Sequence, residues 1–276
     1  MEKRMIALLA ACIVLLAACA GLAAADPMSE AEAQAAAEYE EPVYQFEQTM
    51  AQEEYSAGDG LVGARYSCQL LMLSVPNLDA LSPEDGEAAA RCMENFNNKM
   101  HSLMISAVSA GQTMDELSEG IDSAAETYYD ETEAGYFLTG QIVSVRVDNV
   151  SYTGGAHPNR YAVSYLFDLE AGQFIDPLQV ADDPESFLTG AAALLQEKAE
   201  EHPAFESFWQ DYPELIARWN EGTILFDGEG MRAVYSPYVI APYGMGDVEL
   251  TLTWEELAPL IGESGMERLG MMANTE

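Results

Sequence analysis

The sequence predicts an α+β protein, in which an antiparallel β-meander packs with helices in two layered subdomains that follow a lipoprotein signal peptide. Three observations support this fold class. Runs of alternating apolar and polar residues are separated by turns that contain Gly or Pro. Helical stretches, introduced by a capping residue and Pro, lie between these runs. Hydrophobic residues make up 49% of the 276 residues, which allows a sizeable core.

The charge balance of the chain is strongly acidic. There are 47 Asp and Glu against 11 Lys and Arg, which gives a formal net charge of −36. Such a surface repels nucleic acids, because their binding depends on Lys and Arg that neutralise phosphates. It favours cations, cationic partners and solubility, although a solvated acidic surface alone also accounts for it. We therefore expect no nucleic-acid partner.

The first residues have the pattern of an export signal. Lys3-Arg4 precedes an apolar run from Met5 to Ala18, which is short for a membrane span but suits a signal-peptide core. The run ends in Leu16-Ala17-Ala18-Cys19, which resembles the lipobox of bacterial lipoproteins, where the thiol receives a diacylglyceryl group before cleavage. Secretory cleavage after Ala23-Ala24-Ala25 and an uncleaved anchor helix are the alternatives. All three place the rest of the chain outside the cytoplasm, and the lipoprotein interpretation anchors it to the cell membrane through Cys19.

The remaining chain divides into segments of different composition. Between Asp26 and Glu54 there are many acids but no Lys or Arg, and Ala and Glu dominate, which favours a solvated tether over a helix packed on the domain. Val43 to Phe46 could form a short first strand. The predicted segments are the signal peptide (1–18), the acidic tether (19–58), a first α+β subdomain (59–134), a second α+β domain (135–262) and a tail (263–276).

In the first subdomain, residues alternate from Val62 to Met72 as in a half-buried strand, which Pro76 ends. Ser82 and Pro83 are typical of a helix start, and apolar residues follow at helical spacing until Gly111, which is expected to end the helix. Thr113 to Glu116 form a capping-box pattern for a second, shorter helix that reaches Tyr128.

Cys68 and Cys92 fall on the predicted strand and the helix that follows it. Outside the cytoplasm they could form a disulfide, which would stabilise the fold by about 3 kcal/mol in the chain-entropy model. The alternative is two buried thiols, since a disulfide between a strand and a helix must meet strict Cα distances. We take the disulfide as the favoured hypothesis.

The second domain continues the pattern. Three strands of an antiparallel meander are predicted, from Phe137 to Val147, from Tyr161 to Leu169 and from Phe174 onwards. Asp183-Pro184 begins a helix, and the aromatic turn after it, from Phe205 to Tyr212, is interrupted by Pro213. The later elements are a hairpin from Thr223 to Tyr235, a strand from Val248 to Leu252 and a helix that opens at Trp254.

Two stretches of this domain are unusual. Tyr152-Thr-Gly-Gly-Ala-His157 forms a corner between two strands, where glycine permits positive φ and the imidazole can satisfy a buried carbonyl. In the second stretch, Tyr235 to Gly246, two prolines stiffen the chain and two tyrosines offer amphipathic rings that could form a recognition surface. A buried irregular strand under the meander is the default expectation. The candidate binding or turn-locking residues are Tyr152, Gly154, Gly155, His157, Tyr238 and Tyr243.

These two stretches, together with Asp168-Leu-Glu-Ala-Gly172 and Leu178, resemble an extracytoplasmic bacterial family. It is the domain of unknown function at the C-terminus of the anti-sigma-V factor RsiV, which also occurs beside the catalytic domain of the peptidoglycan deacetylase PdaC. Residues 59–134, with Asn95-Phe96-Asn97 on the helix, resemble more loosely the PdaC-type domain that usually precedes it. The resemblance implies an α+β fold in two layered parts and, since the extracellular region of RsiV binds lysozyme, a binding role.

The anti-sigma and deacetylase roles are not expected here, because the chain has no cytoplasmic sigma-binding segment and no room for a deacetylase domain. We expect a non-enzymatic, lipid-anchored binding protein of the bacterial cell envelope that recognises lysozyme or cell-wall glycan. The alternatives are a passive envelope scaffold and a wall hydrolase or transferase, with His157 as the base and Asp168, Tyr161 or Tyr243 nearby. No cofactor or metal is expected, because the spacing of His101, His157 and His202 does not support a zinc site.

Overall fold

A six-stranded sheet forms the centre of the computed structural model, which describes residues 39–56, 62–118 and 127–271. Its strands follow one another in the order β1 to β6, and neighbours are antiparallel except for β2 and β3, which are parallel. The α+β fold class is therefore confirmed. The strands are β1 (Gln45–Ser56), β2 (Val62–Ser74), β3 (Tyr128–Thr139), β4 (Ile142–Tyr152), β5 (Asn159–Asp168) and β6 (Gln173–Ile175).

A second sheet and the helices complete the fold. Three antiparallel strands make up this sheet: β7 (Thr223–Phe226), β8 (Gly230–Tyr235) and β9 (Val248–Thr253). The helices are α1 (Pro83–Ser118), α2 (Pro184–Glu201), α3 (Tyr212–Ile216), α4 (Trp254–Ile261) and α5 (Glu263–Arg268). The predicted hairpin, the following strand and the helix at Trp254 are all present.

Two hydrophobic cores lie on opposite faces of the six-stranded sheet. Val143 and Phe167 belong to the core beneath α1, whereas Ile142 and Leu166 belong to the core formed with the second sheet, α2, α4 and α5. This division follows from the strand geometry, because successive side chains point to opposite faces. The two sheets are joined through Ser144, whose Oγ accepts a hydrogen bond from the Phe226 amide at 2.9 Å.

Helix α1 is one continuous helix, and the prediction that Gly111 ends it was wrong. A Cβ at Gly111 would lie 2.1 Å from Cδ1 of Tyr66, so glycine serves here to let the helix approach β2 closely. The predicted capping residue Thr113 instead donates its hydroxyl to the Ser109 carbonyl at 3.3 Å, as Thr does inside helices. At the other end, Ser82 caps the helix as predicted, since its Oγ accepts from the Asp85 amide at 3.1 Å.

The middle of α1 is fixed to the sheet by the two asparagines of the Asn95-Phe96-Asn97 motif. Asn97 makes two hydrogen bonds to the backbone of Leu73 in β2, at 2.8 and 2.9 Å. Asn95 donates to the carbonyl of Gly172 at 2.8 Å. Phe96 itself is fully buried between them.

Several predicted boundaries differ from the structure. The run from Phe137 to Val147 is not one strand, because Gly140 adopts φ +57° and turns β3 into β4. Strand β1 lies inside the segment predicted to be tether, because pairing with β2 supplies its hydrogen bonds. Strand β3 crosses the predicted boundary at 134/135, and the start of the predicted tail forms α5. Pro213 lies in the first turn of α3 and does not interrupt a helix.

Cys68 and Cys92 are free and buried, which differs from the predicted disulfide. The Sγ of Cys92 contacts the Leu169 carbonyl oxygen at 3.5 Å and hydrogen-bonds with Tyr44. Burial, together with the smaller effect of the negative charge of Asp130, raises the pKa of the Cys68 thiol to about 11. Both sulfurs therefore behave as buried thiols of the core beneath α1.

The predicted signal peptide and Cys19 lie outside the described residues. Within the ranges that the structure does describe, no helix combines the length and the apolar composition needed to cross a bilayer.

Candidate functional site

The two unusual sequence stretches meet in space. His157 lies in the turn between β4 and β5, and its ring stacks on that of Tyr243 with 3.7 Å between centroids and an interplanar angle of 17°. Tyr238 completes this cluster, with its ring centroid 6.1 Å from His157 and 5.7 Å from Tyr243. The fold thus unites three of the six candidate residues in one aromatic cluster, which we call the His157 cluster.

The other three candidates shape the turn that carries His157. Gly154 and Gly155 have φ of +94° and +109°, a region that side chains with a Cβ rarely occupy. The hydroxyl of Tyr152 donates to the Gly155 carbonyl at 3.0 Å and so closes the turn. These residues position His157 through the backbone.

Both ring nitrogens of His157 have partners. Nδ1 lies 2.9 Å from the Pro158 carbonyl oxygen, and because a carbonyl only accepts, Nδ1 carries a hydrogen. Nε2 lies 3.1 Å from the Tyr238 hydroxyl, which donates to it when the ring is neutral. His157 therefore ties its own turn to the loop after β8, as expected for a lock.

Tyr238 has an unusual backbone conformation. Its φ is +71°, and among the described residues it is the only non-glycine with positive φ. Such a conformation costs of the order of 1–3 kcal/mol, and strained residues of this kind cluster at binding and catalytic sites. The side chain is nevertheless 57% exposed, so burial of the ring does not account for the strain. The default expectation of a buried irregular strand was thus wrong at Tyr238, which lies exposed in a turn.

A groove of about 590 Å³ adjoins the His157 cluster. It runs along β5 and is closed by Trp219, the end of β8 and Val239, which follows Tyr238 directly. Tyr235 also lines it, and within the described part of the chain its buried hydroxyl has no hydrogen-bond partner. The groove offers an apolar surface close to the exposed ring of Tyr238.

Asp168, which the enzymatic hypothesis placed near His157, lies elsewhere. In the sheet it pairs with Ile142, whereas the β5 residue nearest the His157 turn, Asn159, pairs with Ser151. Asn159 and Asp168 are the two ends of the ten-residue strand β5, which places them about 30 Å apart at 3.3 Å per residue. The carboxylate instead accepts from Arg268 at 2.6 Å and from Gln141 at 3.1 Å. Asp168 is a structural residue.

An ion network was missed by sequence reasoning. Arg146 on β4 contacts Asp148 at 2.9 Å, Asp247 at 3.0 Å and Glu249 at 2.8 Å, and Arg232 on β8 also reaches Glu249, at 3.1 Å. Burial raises the pKa of Glu249, but the bonds from the two arginines outweigh it, so the pKa is lowered overall. No local sequence signal reveals this network, because Arg146 precedes Asp247 by 101 positions and Glu249 by 103.

The described residues include no group of three or more His, Cys, Asp or Glu side chains arranged to hold a metal ion. His157 meets Tyr238 and Tyr243, not another histidine.

The comparisons with known proteins establish the fold. No family model and no curated protein matches the chain. A solved structure of a DUF3298-family protein from Bacteroides fragilis NCTC 9343 has a TM-score of 0.52 at 16% identity, covering 82% of this chain and 96% of the other. A DUF3298-family protein from Pseudomonas aeruginosa PAO1 has a TM-score of 0.50 at 16% identity, covering 81% and 96%. The chain thus shares the fold of a bacterial domain of unknown function.

Proposed function

We propose that this chain is a non-enzymatic binding protein of the bacterial cell envelope, anchored by a lipid on Cys19 and facing outside the cytoplasm. Its partner is a cationic, wall-active protein such as lysozyme, or cell-wall glycan. The observation that carries the proposal is the His157 cluster, which presents the strained, exposed ring of Tyr238 beside an apolar groove.

The geometry of His157 favours binding over catalysis. A general base needs a nitrogen that can reach a substrate proton, but both ring nitrogens here are engaged by protein groups. Exposed tyrosines, in contrast, suit recognition, because they offer a large amphipathic surface at a low cost in conformational entropy.

Charge and resemblance support the choice of partner. The net charge of −36 attracts cationic proteins over several ångströms. Two of the motifs by which the chain resembles the RsiV C-terminal domain lie in the stretches that form the His157 cluster, and the extracellular region of RsiV binds lysozyme. The PdaC-like resemblance of residues 59–134 connects the chain with the same compartment, the cell wall.

The proposal is tested by measuring the binding of the full chain to lysozyme and to soluble muropeptides at several salt concentrations. We expect binding to one of them at low salt. For lysozyme the affinity should fall as salt rises, because screening weakens the attraction between the acidic surface and the cationic protein. Absence of binding to both at low salt would reject the proposal.

Variants locate the binding surface. Tyr238→Ala should weaken binding by about tenfold or more, as expected for an exposed aromatic anchor. The matched control is Tyr136→Ala, which removes another exposed tyrosine on β3. Equal effects of the two substitutions would show that the His157 cluster is not the surface. Release of glycan fragments by the wild type, but not by an equally stable His157→Ala variant, would instead indicate the hydrolase or transferase.

A further inference from the structure

A second cleft, away from the second sheet, lies between α1 and the six-stranded sheet. It has a volume of about 330 Å³, and its walls include Leu103, Ala107 and Ala110 of α1 and Val147 and Val163 of the sheet. Asp130, Thr132 and Asn149 also line it, and Tyr161 and Tyr165 contribute aromatic rings. A carboxylate in such apolar surroundings requires an explanation, because an unpaired buried charge is costly.

The other two buried aspartates of the described residues each form an ion pair with an arginine, which offsets the cost of burying the charge. Asp168 is 2% exposed and pairs with Arg268 at 2.6 Å, while Asp227 is 4% exposed and pairs with Arg232 at 2.5 Å. Asp130 is 9% exposed, yet in the part of the chain that the structure describes no Lys or Arg forms an ion pair with it. Glu131, the next residue on β3, forms an ion pair with Arg65 on the opposite face of the strand.

Neutral groups hold Asp130 in place. Asn149 donates its amide to Oδ1 of Asp130 at 3.0 Å and to the Thr132 hydroxyl at 3.0 Å. Burial raises the pKa of Asp130, while the hydrogen bonds from Asn149 and Thr132 lower it and the charge of Glu131 raises it further. The charge of Asp130 also contributes, after burial, to the raised pKa of Tyr161 at the rim. The carboxylate is therefore oriented but not neutralised.

We propose that this cleft is a binding site for an alkylammonium group, with Asp130 as its counter-ion and Tyr161 and Tyr165 as its aromatic walls. The chain shows that such a wall accepts an ammonium, because Nζ of Lys99 lies 4.3 Å from the Tyr165 ring centroid. A compact ammonium fits better than a guanidinium, since Asn149 already occupies one carboxylate oxygen and hinders a bidentate pair. A metal ion fits poorly, because one carboxylate does not supply the six or more oxygens that calcium requires.

This site contains none of the three residues of the His157 cluster and goes beyond the proposed function, although Tyr161, Val163 and Tyr165 line both the cleft and the groove beside that cluster. It has the size of a single side chain or a small amine, not of a polymer. A failure of the alkylammonium experiment leaves the test with lysozyme and muropeptides untouched, and the reverse also holds.

The experiment follows the alanine methyl signals of the full chain by NMR, because Ala107 and Ala110 line the cleft. The probe is n-butylammonium, with n-butanol as its uncharged analogue, n-propylguanidinium as the planar cation and Ca²⁺ as the metal. We expect saturable shifts of these two methyl signals with n-butylammonium, and binding at least tenfold weaker for the other three. No saturable shift, or equal binding of n-butanol, n-propylguanidinium or Ca²⁺, would overturn the proposal.

Two variants and a control complete the test. Asp130→Asn keeps an oxygen for the Asn149 amide but removes the charge, and should weaken n-butylammonium binding at least tenfold. Glu133→Gln, an exposed position on the other face of β3, removes the same charge and should change binding less than twofold. If Asp130→Asn does not fold, Ala110→Leu fills the cleft from the helix and should weaken binding to the same degree. Unchanged binding in the variant that folds would refute the site.

Discussion

Replacing Gly111 with Ala separates helix propensity from packing. Gly111 lies inside α1, where Ala is normally favoured over Gly by about 1 kcal/mol. Propensity alone therefore predicts that Gly111→Ala stabilises the protein. The structure predicts the opposite, because the added Cβ would lie 2.1 Å from Cδ1 and 2.6 Å from Cε1 of Tyr66, far inside van der Waals contact.

The size of the effect follows from what must move. Tyr66 is 6% exposed, so its ring cannot swing into solvent, and the helix must shift from the sheet instead. Overpacking of this kind costs about 1–3 kcal/mol, from which the gain in propensity of about 1 kcal/mol is subtracted. We expect the free energy of unfolding to fall by up to about 2 kcal/mol.

The assay is urea denaturation of the full chain, with Gly86→Ala as the matched control. Gly86 lies in the same helix, and the atoms nearest its added Cβ are 3.8 Å away or farther, so this substitution should be neutral or stabilising. In a Tyr66→Ala background, where the obstructing ring is gone, Gly111→Ala should also become stabilising. If Gly111→Ala stabilises the wild-type protein, the close contact with Tyr66 does not exist and α1 packs differently.

Four further outcomes are expected. His157→Ala should lower the free energy of unfolding by about 1–2 kcal/mol in chemical denaturation, since it removes two hydrogen bonds and a stacked ring; an unchanged midpoint would contradict the lock. Glu249→Gln should lower the melting temperature above pH 4.5, its usual pKa, and the difference should vanish as pH falls through the lowered pKa of the folded state; a difference that persists in acid would refute the ion network. Because burial raises the pKa of Asp130 above its usual 3.8, the wild type should lose stability relative to Asp130→Asn as pH rises from 3.8 through the raised pKa. If the melting temperatures of the two proteins instead change in parallel with pH, the carboxylate is solvated. Cys19→Ser should move the protein from the membrane fraction to the soluble fraction, and retention in the membrane would argue against the lipid anchor.

Local patterns predicted most elements correctly. The alternation that begins at Val62, the caps at Ser82 and Asp183 and the hairpin around Asp227 are each set by residues a few positions apart. Periodicity and capping depend on such neighbours, so they can be read from one sequence. The two candidate stretches were likewise found from their glycines, prolines and aromatic residues alone.

The candidate site needed more than local pattern. His157 contacts Tyr238, which lies 81 positions later in the chain, because the second sheet packs on the first. Residues close to His157 in the sequence do not specify this packing. Asp130 was missed because the predicted helix ended at Tyr128 and the next predicted strand began only at Phe137, so the place of Asp130 on the buried face of β3 could not be deduced.

Gly111 and Cys92 show the same division between local pattern and packing. Glycine after a helical run usually ends the helix, and paired cysteines outside the cytoplasm usually form a disulfide. Here the ring of Tyr66 leaves no room for a side chain at position 111. The sulfur of Cys92 contacts the Leu169 carbonyl oxygen and Tyr44. Short-range preferences are worth about 1 kcal/mol each, whereas contacts between distant segments in a close-packed core cost or gain more. The chain therefore specifies its elements locally, but long-range packing sets where they end and which side chains meet.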